Sequence, residues 1–92
     1  MTENAEHYIT YFGGTILAQH KGVYLVRYTK YNGDIRYAVV KYHQYRMSER
    51  SPFDPIPLFD VTITEEHAEF FKTHLPAMVR FCEDEFEKAL IK

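Results

Sequence analysis

The sequence predicts an α+β fold: an antiparallel sheet of three to four strands, in the order β-β-β-loop-β-α, packed against a long C-terminal helix kinked or broken near Pro76. Three observations carry this. Asn32-Gly33 lies between two β-rich runs, the strongest short-range signal of a hairpin. Residues 58–63 alternate apolar and polar side chains, the period of a strand with one buried face. From Phe71 onward, apolar residues recur every three or four positions, the period of one helical stripe.

Residues 1–7 lack an apolar run and are expected to be loose, as chain ends often are. Residues 8–18 read as a first strand, with Gly13-Gly14 as a bulge or bend inside it. Residues 19–22 form a turn, Gly22 supplying any positive φ. Residues 23–42 then fold about Asn32-Gly33. A type I′ turn needs positive φ at both central positions, which Asn and Gly tolerate best. With Tyr31 and Asp34 flanking a two-residue loop, Lys30 faces Ile35, Tyr28 faces Tyr37, Val26 faces Val39 and Tyr24 faces Lys41. These eight side chains share one face, because strand side chains alternate. Val23, Leu25, Arg27 and Thr29 share the opposite face with Tyr42, Val40, Ala38 and Arg36. A slip of one residue would exchange these sets, so the assignment stands on the turn type.

Residues 46–57 break the pattern. Pro52, Pro55 and Pro57 forbid regular helix and disfavour a central strand. An extended loop is expected, tacked to the body by Phe53 and Ile56. Residues 58–63 follow as a fourth strand entered through Pro57, with Phe59, Val61 and Ile63 on one side and Asp60 and Thr62 on the other. Thr64 opens the helix: its hydroxyl can accept from a first-turn N–H, while Glu65 and Glu66 sit at the positive end of the dipole. Phe71, Leu75, Met78, Cys82, Phe86 and Ala89 form the stripe, widened by Phe70, Val79, Phe81 and Leu90. Pro76 removes an N–H and crowds the Lys72 carbonyl. The stripe keeps phase across it, which favours one kinked helix over two helices joined near residues 73–75.

The 92 residues make one domain, 1–92. A chain of this size buries roughly 65% of its unfolded surface, an adequate but not generous core. With 46% hydrophobic and 26% charged residues, the composition is that of a soluble globular protein. Aromatic content is 16%, with eight Tyr, seven Phe and no Trp. Tyrosine is the aromatic that tolerates a half-wet surface. Cys82 is alone, so no intrachain disulfide forms and a reduced compartment fits. The N-terminus shows no basic flank and apolar run of a leader, and no stretch reaches the ~18 apolar residues of a membrane span. A cytoplasmic protein with no membrane contact is therefore expected.

No motif names an activity. His67 and His74 stand two turns apart on the helix, about 10–11 Å, too far to share one ion. His7, His20 and His43 lie on separate segments without ligand spacing. Cys82 falls on the apolar stripe, where a buried thiol is inert. No serine sits in a Gly-flanked elbow, and Gly13-Gly14 lacks the further glycines and lysine of a phosphate loop. Acidic runs such as Glu83-Asp84-Glu85 are accounted for by capping and solvation. The chain is read as no enzyme, with no metal and no cofactor.

What remains is a surface. The net charge is −2, yet residues 21–50 hold seven bases against two acids and residues 60–92 hold eight acids against four bases. A basic sheet and an acidic helix attract each other within one fold, or the basic side faces an acidic partner. The helix is expected over Val23, Leu25, Ala38 and Val40, whose side chains are aliphatic and, at Ala38, small. The other face then displays Tyr24, Val26, Tyr28, Tyr37 and Val39, bracketed by Lys30, Ile35 and Lys41, with Arg27 and Arg36 toward the tip. Three uses of that face follow. The Pro-rich loop and the N-terminal segment fold over it, with Phe53, Ile56 and Tyr11 as a lid. It docks another protein, or a second copy of itself. Or it stacks single-stranded nucleic acid on Tyr24, Tyr28 and Tyr37, with phosphates on Lys30, Lys41, Arg27 and Arg36, a use the overall negative charge opposes. The expected function is a non-enzymatic protein-binding module or stoichiometric inhibitor acting through Tyr24, Tyr28, Lys30, Tyr37, Lys41, Arg27 and Arg36. In size and lack of chemistry alone, the chain resembles the small inhibitors of phages and mobile elements, anti-CRISPR proteins among them.

Overall fold

The computed structural model describes residues 2–47 and 55–91, and the side-chain surroundings of residues 6–42 and 57–88. The elements run α1 (Thr2–Tyr11), β1 (Gly14–His20), β2 (Val23–Thr29), β3 (Ile35–Met47), β4 (Pro55–Ile63), α2 (Glu65–Thr73) and α3 (Leu75–Ile91). The four strands form one antiparallel sheet in the order β1-β2-β3-β4, with the C-terminal helices packed on it, which is the α+β fold the sequence predicts. Pro55 and Pro57 lie in β4, an edge strand, where a missing N–H donor is tolerated. Strand pairing therefore reaches further than the expected start at Leu58. Phe53, expected to tack down the loop, lies outside the described residues, as does the side chain of Ile56.

Both hairpins depart from the simplest reading, and the second departure reorganises the sheet. The β1–β2 loop is the two-residue one: Lys21 and Gly22 take φ of 50° and 77°, and His20 pairs with Val23. That is the positive-φ pair of a type I′ turn. The β2–β3 loop is longer. Gly33 donates its N–H to the Lys30 carbonyl at 2.9 Å, and Lys30 donates to Asp34 at 2.8 Å. Gly33 has φ of 92°, whereas Lys21 is the only non-glycine residue with positive φ among the described residues, so Asn32 is not left-handed. A type I turn followed by a left-handed glycine makes a three-residue loop. One extra loop residue shifts the register: Thr29 pairs with Ile35, Arg27 with Tyr37, Leu25 with Val39 and Tyr24 with Val40. The β3 side chains from Ile35 to Lys41 consequently lie on the face opposite to the one expected.

Two apolar clusters result, one on each face. Val23, Leu25, Val39 and Phe59 pack with Ala68 and Phe71 of α2 and with Met78, Val79 and Cys82 of α3. Tyr24, Val26, Ala38 and Val40 pack with Ile9 of α1. The expected helix-covered set was therefore half right: Val23 and Leu25 lie under α2 and α3, but Ala38 and Val40 lie under α1. The β1 register skips Leu17, so Leu17 and Ala18 both join the first cluster while Ile16 joins the second. Such a bulge lets consecutive residues serve one side.

The N-terminal segment corrects two expectations. Residues 2–11 form a helix rather than a loose end, and the first strand begins at Gly14 rather than at residue 8. Gly13, with φ of 80°, turns the chain out of α1, a common helix ending. Gly14 lets α1 approach: a Cβ there would lie 2.6 Å from Ile9 Cγ2. At the other end, the Thr64 hydroxyl accepts from His67 N–H at 3.1 Å, the cap read from the sequence. The C-terminal stripe is carried by two helices rather than one kinked rod. α2 stops at Thr73, His74 leaves helical geometry with φ −125° and ψ 64°, and α3 begins at Leu75. Pro76 sits in the first turn of α3, where its missing N–H has no partner to lose.

Candidate interaction surface at the hairpin end of the sheet

One end of the sheet gathers several chain features. Here β1 begins opposite the end of β2 (Gly14 with Tyr28), β3 begins (Thr29 with Ile35), and β4 ends (Tyr37 with Ile63) just before α2. The α1–β1 junction is here too: a Cβ on Gly13 would lie 3.8 Å from the Thr29 carbonyl. Four of the five large exposed apolar side chains among the described residues belong to this end: Tyr31 at 106% relative exposure, Tyr11 at 76%, Phe12 at 57% and Ile35 at 56%. The fifth, Phe70 on α2, stacks on His74 with ring centroids 4.3 Å apart. An open groove of about 690 Å³ runs beside the tip, lined by Lys30, Ile35, Arg36, Tyr37, Thr62 and Glu65 among others.

Arg36 organises the groove wall. Its Nη2 donates to Asp60 Oδ1 at 2.7 Å and its Nε to Thr62 Oγ1 at 2.9 Å, and the guanidinium lies 5.6 Å from the Tyr28 ring centroid. The pair is part-exposed, so it contributes at most about 1 kcal/mol. Its larger effect is on shape, since a guanidinium held by two acceptors is fixed in place. Tyr28 and Tyr42 pack side by side against the α1-side cluster. Burial raises both above the ordinary 10.0, Tyr42 further because the Tyr28 phenol adds to it. Aromatic contacts continue onto α1: Tyr42 meets Tyr8 at 6.0 Å, Tyr8 meets Phe12 at 4.8 Å and Phe12 meets Tyr11 at 5.1 Å.

The seven residues singled out from the sequence do not form one surface. Lys30, Arg36 and Tyr37 meet at the groove. Tyr28 stands behind Arg36. Arg27 is half-buried and pairs across from Tyr37, on the α2–α3 side. Lys41 pairs with Val23 far from the tip, beside a small cavity of about 70 Å³ with Phe59, Cys82 and Glu83. Tyr24 is 2% exposed, sealed beneath α1. The open tyrosine face is thus not formed. The three tyrosines of a stacking platform are divided, Tyr24 and Tyr28 on one side of the sheet and Tyr37 on the other, because the register shifted by one. Phe12 and Tyr31 were missed from the sequence, while Ile35 was placed only as a bracket of the tyrosine face and Tyr11 only as part of a lid over it. Tyr31 carried a signal, since a large ring beside Asn-Gly in a turn has no core to enter.

The remaining chemistry stays sparse. Burial pushes the Cys82 thiol up to about 11, outweighing the opposite pull of Lys41. No group of three His, Cys, Asp or Glu among the described residues is placed to hold a metal ion. No helix among them is long and apolar enough to cross a membrane. Set against family models, curated proteins and solved structures, the chain finds no significant match in any.

Proposed function

We propose that this chain is a non-enzymatic protein-binding module, of the stoichiometric-inhibitor kind, which docks a protein partner through the hairpin end of its sheet. The observation that supports this reading is the exposure of Tyr31 and Ile35 at the hairpin tip, with Tyr11 and Phe12 exposed at the α1–β1 junction of the same end. Aromatic anchors beside part-neutralised charge are the usual centre of a protein interface. Lys30, Arg36 and Tyr37 supply the polar wall of the same site.

The test is a double variant, Tyr31→Ala with Ile35→Ser, compared with the parent for recovery of host proteins and then for affinity toward the purified partner. Neither side chain is buried, so the melting temperature is expected to hold while affinity falls at least tenfold. A folded variant that keeps full affinity refutes the reading. Single-strand titrations at two salt levels decide the rival use of the surface: tight, salt-sensitive binding would replace the protein-docking reading with nucleic-acid binding.

A further inference from the structure

We propose that β4 is a dimer edge, which pairs antiparallel with β4 of a second copy of this chain about a two-fold axis at Val61. This surface uses neither Tyr31 nor Ile35 and does not rest on the hairpin-end reading. The backbone directions are set by the hairpin. Lys30 donates to Asp34, so that pair is a bonded one, and bonded and non-bonded pairs alternate along an antiparallel ladder. Arg36, Ala38 and Val40 therefore turn their peptide groups toward β2, and Tyr37, Val39 and Lys41 turn theirs toward β4. On β4, Phe59, Val61 and Ile63 bond to β3, while the N–H and C=O of Asp60 and Thr62 point out of the sheet. β4 ends the strand order, and these outward groups have no backbone partner among the described residues. The opposite edge is less suited, because β1 is bulged at Leu17 and its outward groups lose their regular spacing. Pairing on β4 is regular from Phe59 to Ile63, and its one charge, Asp60, is already paired with Arg36.

The edge is complementary to itself. Arg36 Nη2 donates to Asp60 Oδ1 and Arg36 Nε donates to Thr62 Oγ1. Among the described residues this leaves Asp60 Oδ2 as an acceptor and the Thr62 hydroxyl with its hydrogen to donate. Both side chains are exposed on the α1 side of the sheet. With the axis at Val61, Asp60 lies opposite Thr62 of the partner subunit, and Thr62 lies opposite the partner subunit's Asp60. Each pair exchanges backbone bonds, and each hydroxyl can reach the facing carboxylate. A register with Asp60 opposite itself would juxtapose like charges, which is destabilising. On the α2–α3 side, half-buried Val61 and Ile63 meet Val61 and Phe59 of the partner subunit, so the apolar layer continues across the axis. The product is one continuous sheet with a hairpin tip at each end.

Light scattering at millimolar chain concentration is expected to give twice the single-chain mass, falling to the single-chain value on dilution. Thr62→Pro removes an outward N–H and no bond to β3, so it should keep the melting transition and give a single-chain mass throughout. Thr62→Val, which loses the hydroxyl alone, should weaken association by about tenfold. Val61→Cys tests the axis. Residues facing each other in a non-bonded pair have Cα atoms about 4.5 Å apart, within disulfide reach. Oxidised glutathione should therefore link this variant to itself, and should not link Gln19→Cys on the β1 edge. A parent of single-chain mass at millimolar concentration overturns the proposal. So does a folded Thr62→Pro that associates like the parent, or cross-linking through Gln19→Cys in preference to Val61→Cys. The Tyr31→Ala, Ile35→Ser double variant should dimerise like the parent, and its loss of dimer would overturn the β4 edge while leaving the hairpin-end reading to its own test.

Discussion

Gly14→Ala is the sharpest probe of how α1 meets the sheet. An added Cβ would lie 2.6 Å from Ile9 Cγ2, 2.8 Å from the Ile9 carbonyl oxygen and 2.8 Å from Tyr28 Cε1. Carbon atoms pack best at about 3.5–4.0 Å, so the closest approach is short by about 1 Å. The oxygen cannot rotate away, being backbone. The Tyr28 ring is flanked by the Arg36 guanidinium and packed against the same cluster as Tyr42. Relief therefore requires α1 to move bodily. Overpacking of this kind costs about 1–3 kcal/mol. For a domain near this size each 1 kcal/mol lowers the melting temperature by roughly 4–8 °C, so a fall of roughly 5–20 °C is expected in circular-dichroism melts. If α1 detaches instead of straining, its undocking sets a ceiling on the loss. A melting temperature within about 2 °C of the parent would refute the reasoning, since Ile9 could not then lie over Gly14.

Lys21→Asn should raise stability by about 0.5–1 kcal/mol in urea titrations, because Asn tolerates the left-handed φ of 50° that strains lysine. Thr64→Ala should cost about 1 kcal/mol by leaving the His67 N–H without its acceptor, and Thr64→Ser should restore most of it. The Cys82 thiol, held at about 11 against an ordinary 9.0, should react slowly with a thiol reagent at pH 8. Its native state binds the proton more tightly than the unfolded chain does, so its contribution to stability is complete below pH 9 and lost as pH rises toward 11. Tyr24, Tyr28 and Tyr42, also raised, act in the same direction from pH 10 upward. Melting temperatures that stay flat from pH 7 to 11 would contradict the assigned burial.

The C-terminal half was the more legible part of the sequence, for a physical reason. Thr64, the paired glutamates and the recurring apolar positions are local signals that tertiary structure had no cause to override. Asn32-Gly33 was different. Both candidate loops need Gly33 left-handed, and they differ only in Asn32, which can serve either. The strand pattern could not arbitrate, because Val23–Val26 and Ala38–Val40 are continuous apolar runs buried on both faces. Alternation locates a register only where one face is wet. The first helix was hidden by its own sparseness. One buried isoleucine makes no stripe, and the aromatics around it suit a strand equally well by composition. The face assignments behind Tyr24, Tyr28 and Tyr37 inherited both errors.

The correction also changes what counts as surplus. With the middle of the sheet closed on both sides, the central tyrosines are explained by folding: Tyr24 fills a core, and Tyr28 and Tyr42 seal its rim. The side chains left without a structural task are those beyond the reach of either cover. Tyr31 is fully exposed and Ile35 half so, on a tip whose hydrogen bonds run through Lys30, Asn32, Gly33 and Asp34 and need neither of them. Single exposed apolar residues are ordinary on protein surfaces, but Tyr31 and Ile35 flank one hairpin tip, and Tyr11 and Phe12 are exposed at the same end of the sheet. The partner-binding argument therefore moves from the sheet's face to its end and becomes independent of what the helices conceal.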